Sequence, residues 1–219
     1  MISMRTFVPA KVIQSRLHKH VFMTFAEKVG LVYFGYVNQR SDDHRLVRGL
    51  TVSANHRDNH YCIGTFKTYD ITVVERTDTV SFPGKPNKNH DWIIMAIDLH
   101  TQRDLPHVFL GLHSYSEAFY AQLFTKFTHF IKLPSGQYDP AFIHRYDIYS
   151  QPDKMLETQQ LFTQHTTQLI AEYFGGLMIE LAENCLYVYA EHRPTEALLE
   201  RMLQYGVWLA QSIDQANLI

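Results

Sequence analysis

The stretch Leu177-Met-Ile-Glu-Leu-Ala-Glu-Asn-Cys-Leu-Tyr-Val-Tyr-Ala190 reads as two β arms joined at Glu183-Asn184. Leu177, Ile179 and Leu181 share one face, with Glu180 opposite, and Asn184 tolerates the left-handed backbone of a tight hairpin. The elements around this hairpin carry their own punctuation. Phe142-Ile-His-Arg-Tyr-Asp-Ile-Tyr149 alternates as a strand. Ser150-Gln-Pro-Asp153 opens a helix that Gly175-Gly176 closes, with Leu161, Phe162, His165, Leu169 and Tyr173 as its buried stripe. A last helix follows Pro194-Thr195, with Leu198, Met202, Tyr205, Leu209 and Ile213 in line.

Upstream of this section, Ile13, Leu17, Val21 and Phe25 recur every fourth residue, which predicts an amphipathic helix ending near Gly30. Leu31–Val37 is a short apolar strand. From Leu46 to Leu112 the period changes to two. Tyr61–Phe66 and Asp70–Arg76 form hairpin arms around Lys67-Thr68-Tyr69, and Asp91–His100 and His107–Leu112 are further strands. The connections are too short for crossover helices, so an antiparallel meander is expected. Ser114-Tyr-Ser-Glu117 has the spacing of a capping box and predicts a helix with Tyr120, Leu123, Phe124, Phe127 and Ile131 on one face. The fold class that results is α+β, mostly antiparallel sheet, with an N-terminal helix and helices packed on the sheet from the C-terminal half. Residues 1–219 are expected to form a single domain. A two-lobe division near residues 133–140 is the alternative, because Pro134 and Pro140 fall there.

Composition narrows the function classes. Hydrophobic residues make up 46% of the chain and charged residues 19%, with 14 Phe and 13 Tyr, which excludes disorder. A net charge of −2 leaves no basic footprint for nucleic acid. The strongest apolar run, Trp92–Ile97, is far shorter than the ~20 residues of a membrane helix, and no secretory signal opens the chain. Cys62 and Cys185 lie inside apolar strand patterns and behave as free, small hydrophobes. The expectation is a soluble protein of a reducing, cytoplasmic compartment.

The 13 histidines are the unusual count. His56, Asp58 and His60 are two apart, and in an extended segment all three side chains point to one side, as a set of ligands for a divalent metal requires. The competing reading is an Asn/Asp-rich connection between strands. His100, His107 and His113 sit at strand ends, where His100 and His107 become cross-strand neighbours if their strands pair. His18 and His20 point about 200° apart on a helix and cannot share a metal. His144 and His165 fit core positions with hydrogen-bonded rings. Cys62 beside His56 or His60 is a remote nucleophile–base pair. Glu75, Asp98, Asp147 and Glu180 are strand-borne acids whose ordinary role is to solvate an outer face. Phosphate-binding glycine loops and the G-x-S-x-G elbow are missing.

The closing section resembles uncharacterised bacterial proteins classed as domains of unknown function. The resemblance rests on Tyr146-Asp-Ile-Tyr149-Ser150 and on Ile179-Glu-Leu-Ala-Glu-Asn-Cys-Leu-Tyr-Val188, with Gly64-Thr-Phe66 and Leu105–Leu110 matching less closely. It implies structure only, with no activity, cofactor or site residue. Aromatic-rich strands without a catalytic constellation favour a non-enzymatic binding or scaffolding protein whose partner is another protein, a second copy of the chain included. The alternative is a metal-dependent hydrolase using His56, Asp58 and His60.

Overall fold

The computed structural model describes residues 10–37, 56–80, 88–124 and 130–217. Two tight hairpins anchor it. Strands β2 (Arg57–Phe66) and β3 (Tyr69–Val80) turn at Lys67 and Thr68, whose φ angles are 48° and 76°. Strands β8 (Met178–Ala182) and β9 (Cys185–Ala190) turn at Glu183 and Asn184, with φ of 51° and 57°. Two successive left-handed residues match the twist of the flanking strands, as a two-residue hairpin requires.

The remaining strands are β1 (Val32–Gly35), β4 (Lys88–Asp98), β5 (Val108–Leu112), β6 (Ile131–Lys132) and β7 (Tyr146–Ser150). All nine join one sheet in the order β1-β2-β3-β4-β9-β8-β5-β7-β6, and every pairing is antiparallel. The fold is α+β. The meander ends at β4, however. Its outer neighbour is β9, with Met95 opposite Val188, and β5 is inserted between β8 and β7. The chain is led away after β4 by the buried Asp214, which accepts hydrogen bonds from the Tyr69 hydroxyl and from the backbone N–H groups of His100 and Thr101.

Alternation gives the sheet two unlike faces. Cys62, Ile71, Val73, Ile93, Met95, Ile97, Val188 and Ile179 face a helical layer. That layer is built from α1 (Ala10–Val29), α3 (Pro140–Ile143), α5 (Gln164–Tyr173) and α6 (Glu196–Asn217), with the short α4 (Met155–Leu161) beside them. Tyr61, Val74, Trp92, Ile94, Phe109, Tyr149, Tyr187 and Tyr189 form the opposite, aromatic face, on which α2 (Glu117–Leu123) lays Phe119 and Tyr120.

Several local expectations are corrected. The cap of α2 is Ser116, whose Oγ accepts the N–H of Phe119; the helix ends at Leu123 and Ile131 belongs to β6. Asp139-Pro140 starts a helical turn, because the Asp139 carboxylate accepts the N–H of Ala141 and proline needs no donor at the first position. Phe142 is therefore helical and the strand begins at Tyr146. The long helix after Ser150 is interrupted at Phe162-Thr163, where Thr163 caps α5 afresh. The break resets the helical phase, so Thr167, Ile170 and Ala171 are buried and His165 is exposed. On α1, Phe22, Phe25 and Ala26 face the core while Leu17 stands in solvent. The part of the period-two alternation from Leu46 to Ser53 lies outside the described residues. Among the described residues, no helix is long and apolar enough to cross a membrane.

Candidate functional site at the open edge of the sheet

Strand β1 is the outermost strand on one side, and the chemistry nearest it is set by an irregularity in β2. Asp58 pairs with Arg76 and Asn59 with Glu75, but Cys62 pairs with Val73, so two residues of β2, His60 and Tyr61, oppose Val74 alone. His60 takes φ of 59°, a left-handed conformation that histidine enters more readily than most side chains. This bulge turns His60 to the helical face, away from the side Asp58 occupies.

On the helical face His60 meets side chains from three other elements. Its Nδ1 lies 2.8 Å from the Tyr33 hydroxyl on β1, its Nε2 lies 3.6 Å from Glu75 Oε2 on β3, and its ring stacks on Phe22 of α1. His18 of α1 brings Nδ1 to 2.7 Å from Glu75 Oε1. With its own proton on Nε2, toward Glu75, His60 accepts a hydrogen bond on Nδ1 from the Tyr33 hydroxyl. Burial lowers the His60 pKa, and the charges of His18 and Lys19 lower it further. Burial lifts the Glu75 carboxyl against the opposing pull of His18. The cluster is a latch that ties α1, β1, β2 and β3 together.

On the aromatic face Asp58 is held by Arg76. The Arg76 Nε donates to Oδ1 and Nη2 to Oδ2, both at 2.7 Å, and the Tyr61 hydroxyl donates to Oδ2. Burial alone would raise the Asp58 carboxyl, but the bonds from Arg76 outweigh it and hold the pKa below the ordinary carboxylate value. His56 lies near enough to act on Asp58 electrostatically, at the start of β2. Of the three residues expected to share a metal, the fold thus keeps His56 near Asp58 and sends His60 to the opposite face from Asp58. Among the described residues no three His, Cys, Asp or Glu side chains are grouped to hold a metal ion.

The other candidates are dispersed in the same way. His100 donates to the carbonyl of Thr68 and stacks on Tyr69. His107 bonds Glu180 at 2.7 Å, and Glu180, fully buried, also accepts from Tyr189. His113 pairs with Asp147. His100 and His107 are not cross-strand neighbours, because β5 does not pair with β4. The Cys62 thiol is pushed up to about 12 by burial, and burial raises the Cys185 thiol too. Neither sulfur is a ready thiolate. The partnership of His18 with Glu75 spans 57 residues and has no local signature. The Asn59-His60 pair, two residues tolerant of left-handed backbone, was the one local hint of the bulge.

No protein-family model matches the chain, and no curated protein matches it. The crystal structure of the mycobacterial trehalose monomycolate transport factor A, TtfA, is similar with a TM-score of 0.63. The match covers 92% of this chain and 94% of that one at 12% identity. The likeness is one of fold.

Outside the latch, β1 shows a different character. Val32 is 56% exposed, Phe34 55% and Tyr36, one residue beyond the strand, 64%. Gly30–Val37 contains no charged residue. One strand therefore carries Tyr33 inward to the latch and large apolar side chains outward.

Proposed function

We propose that the chain is a non-enzymatic binding or scaffolding protein, and that the β1 edge is where a second copy of the chain adds. The observation that carries this reading is the exposure of Val32, Phe34 and Tyr36 on an uncharged outermost strand. An edge strand offers unpaired N–H and C=O groups, and soluble proteins usually guard such edges with lysine or other charge. Gly30–Val37 carries no such charge, and strand addition gains main-chain hydrogen bonds while covering the apolar side chains. The strand is four residues long and bulged between Tyr33 and Gly35, so the association is weak and concentration-dependent. A shared fold with a protein described as a transport factor, and two raised, buried thiols, also fit a non-catalytic role. Free buried cysteines agree with a reducing, cytoplasmic location.

Light scattering over a wide concentration range tests the reading. The expected mass rises from monomer toward dimer, and Phe34→Lys holds the chain monomeric. A wild-type chain that stays monomeric at the highest concentration overturns it.

A further inference from the structure

A groove of about 480 Å³ opens at one end of the sheet, lined by Leu112, His113, Ser114, His144, Arg145 and the Gly175-Gly176 pair. Arg145 leaves α3 and enters β7, and its Nη1 donates at 2.7 Å to the carbonyl of Ala171, near the end of α5. That is its one side-chain hydrogen bond among the described residues, so the rest of a pre-positioned guanidinium fork is uncommitted. His144 is exposed and has no side-chain partner among the described residues. The glycines keep the floor bare: a Cβ at Gly175 would stand 3.8 Å from Arg145 Nη1, and one at Gly176 3.8 Å from His192 Nε2. Gly176 also has φ of 79°, which a larger residue would strain to adopt. Asp147, which pairs with the lining residue His113 through Nε2 at 2.9 Å, is also held by Lys132 Nζ at 2.8 Å. Among the described residues the lining itself contains no acid.

From this arrangement we infer that the groove binds a phosphate group, carried by a small molecule or by a lipid headgroup. A guanidinium with free donors pairs with phosphate through two parallel N–H···O bonds, which are among the strongest hydrogen bonds in proteins. A tetrahedral anion has further oxygens to spare for His144 and the Ser114 hydroxyl, which a planar carboxylate held by the same fork lacks. The inference deepens the reading of the chain as a binding protein by naming a ligand class. It uses a surface separate from β1, so the two can fail independently.

The test is an NMR titration of the intact chain with inorganic phosphate at constant pH and ionic strength, with acetate as the comparison anion. Saturable shifts at His144, His113 and Arg145 are expected with phosphate and not with acetate. Arg145→Gln, which keeps an amide donor for the Ala171 carbonyl, should weaken binding about tenfold. Arg145→Lys, which keeps charge without the fork, should fall between. Sedimentation with phosphatidylcholine vesicles, with and without phosphatidic acid, separates the two sources. Binding to phosphatidic acid that Arg145→Gln removes assigns a headgroup, and binding to free phosphate alone assigns a soluble phosphate compound. Absence of saturable binding in both arms, equal response to acetate, or indifference of folded Arg145→Gln overturns the inference. None of these outcomes bears on self-association through β1.

Discussion

Asp58 and His60 are two residues apart on β2, yet Asp58 bonds Arg76 on the aromatic face while His60 meets Tyr33 and Glu75 on the helical face. The bulge at His60 and Tyr61 supplies the half-turn that separates them. Had the strand run regularly, both side chains would share a face.

The left-handed backbone at His60 makes a first prediction. His60→Asn and His60→Val both lose the bond to Tyr33, but asparagine accepts φ of 59° and valine does not. The valine variant should be less stable than the asparagine variant by about 1–2 kcal/mol in urea unfolding. Equal midpoints would mean that the bulge relaxes without strain.

His60 also carries a pH dependence. Its folded pKa lies below the ordinary histidine value of about 6.5, so the unfolded chain binds the proton more readily. Its contribution is complete above that value and is lost as pH falls through the lower folded pKa. Glu75, raised by burial, acts in the opposite sense, its contribution lost as pH rises through its own folded value. Both wild type and His60→Asn retain Glu75. Unfolding followed from pH 7.5 down to about 5 should therefore show a decline in wild type that the asparagine variant lacks.

Removing the partner of a buried guanidinium is costly. Arg76 is fully buried, and Asp58→Ala should destabilise the chain by about 3–5 kcal/mol at neutral pH. The Asp58 pKa is depressed, so the stabilisation is complete above about pH 4 and disappears as pH falls through the folded value. The gap between wild type and Asp58→Asn should accordingly narrow in acid. A constant gap from pH 7 to pH 2.5 would show that the charge of Asp58 contributes nothing.

Thiol chemistry gives a fourth measurement. Both cysteines are buried, with the Cys62 Sγ 3.6 Å from the carbonyl of Phe22. An aromatic disulfide reagent should leave the native chain unlabelled and react only as denaturant unfolds it. Rapid labelling of either cysteine in native buffer would show a thiolate that this packing does not provide.

Gly111 lies beneath the Tyr120 ring, and a Cβ there would come within 2.7 Å of it. The ring cannot easily retreat, because its hydroxyl donates at 2.6 Å to the carbonyl of Leu112. Gly111→Ala should cost about 1–3 kcal/mol. In a Tyr120→Leu background the cost should shrink, and a double-mutant cycle measures that coupling.

The hairpin at Glu183-Asn184, the hairpin around Lys67-Thr68-Tyr69, the helix after Thr195 and the α+β class were all legible in the residues themselves, although Tyr69 already belongs to β3. Each depends on contacts within a few positions: turn residues that accept positive φ, caps, and apolar periods of two or of 3.6. Strand order was not legible. The insertion of β5 between β8 and β7 depends on pairings across tens of residues, which alternation alone does not encode. The break at Phe162-Thr163 was hidden because its cap, Thr163, sits inside an otherwise continuous helical pattern. The site divides on the same line. Sequence alone singled out His56, Asp58 and His60 as closely spaced polar residues in a strand context. Tertiary structure decided their partners, because one left-handed residue reverses every side chain beyond it, and because Arg76, Glu75 and His18 reach them only when the sheet and α1 are assembled.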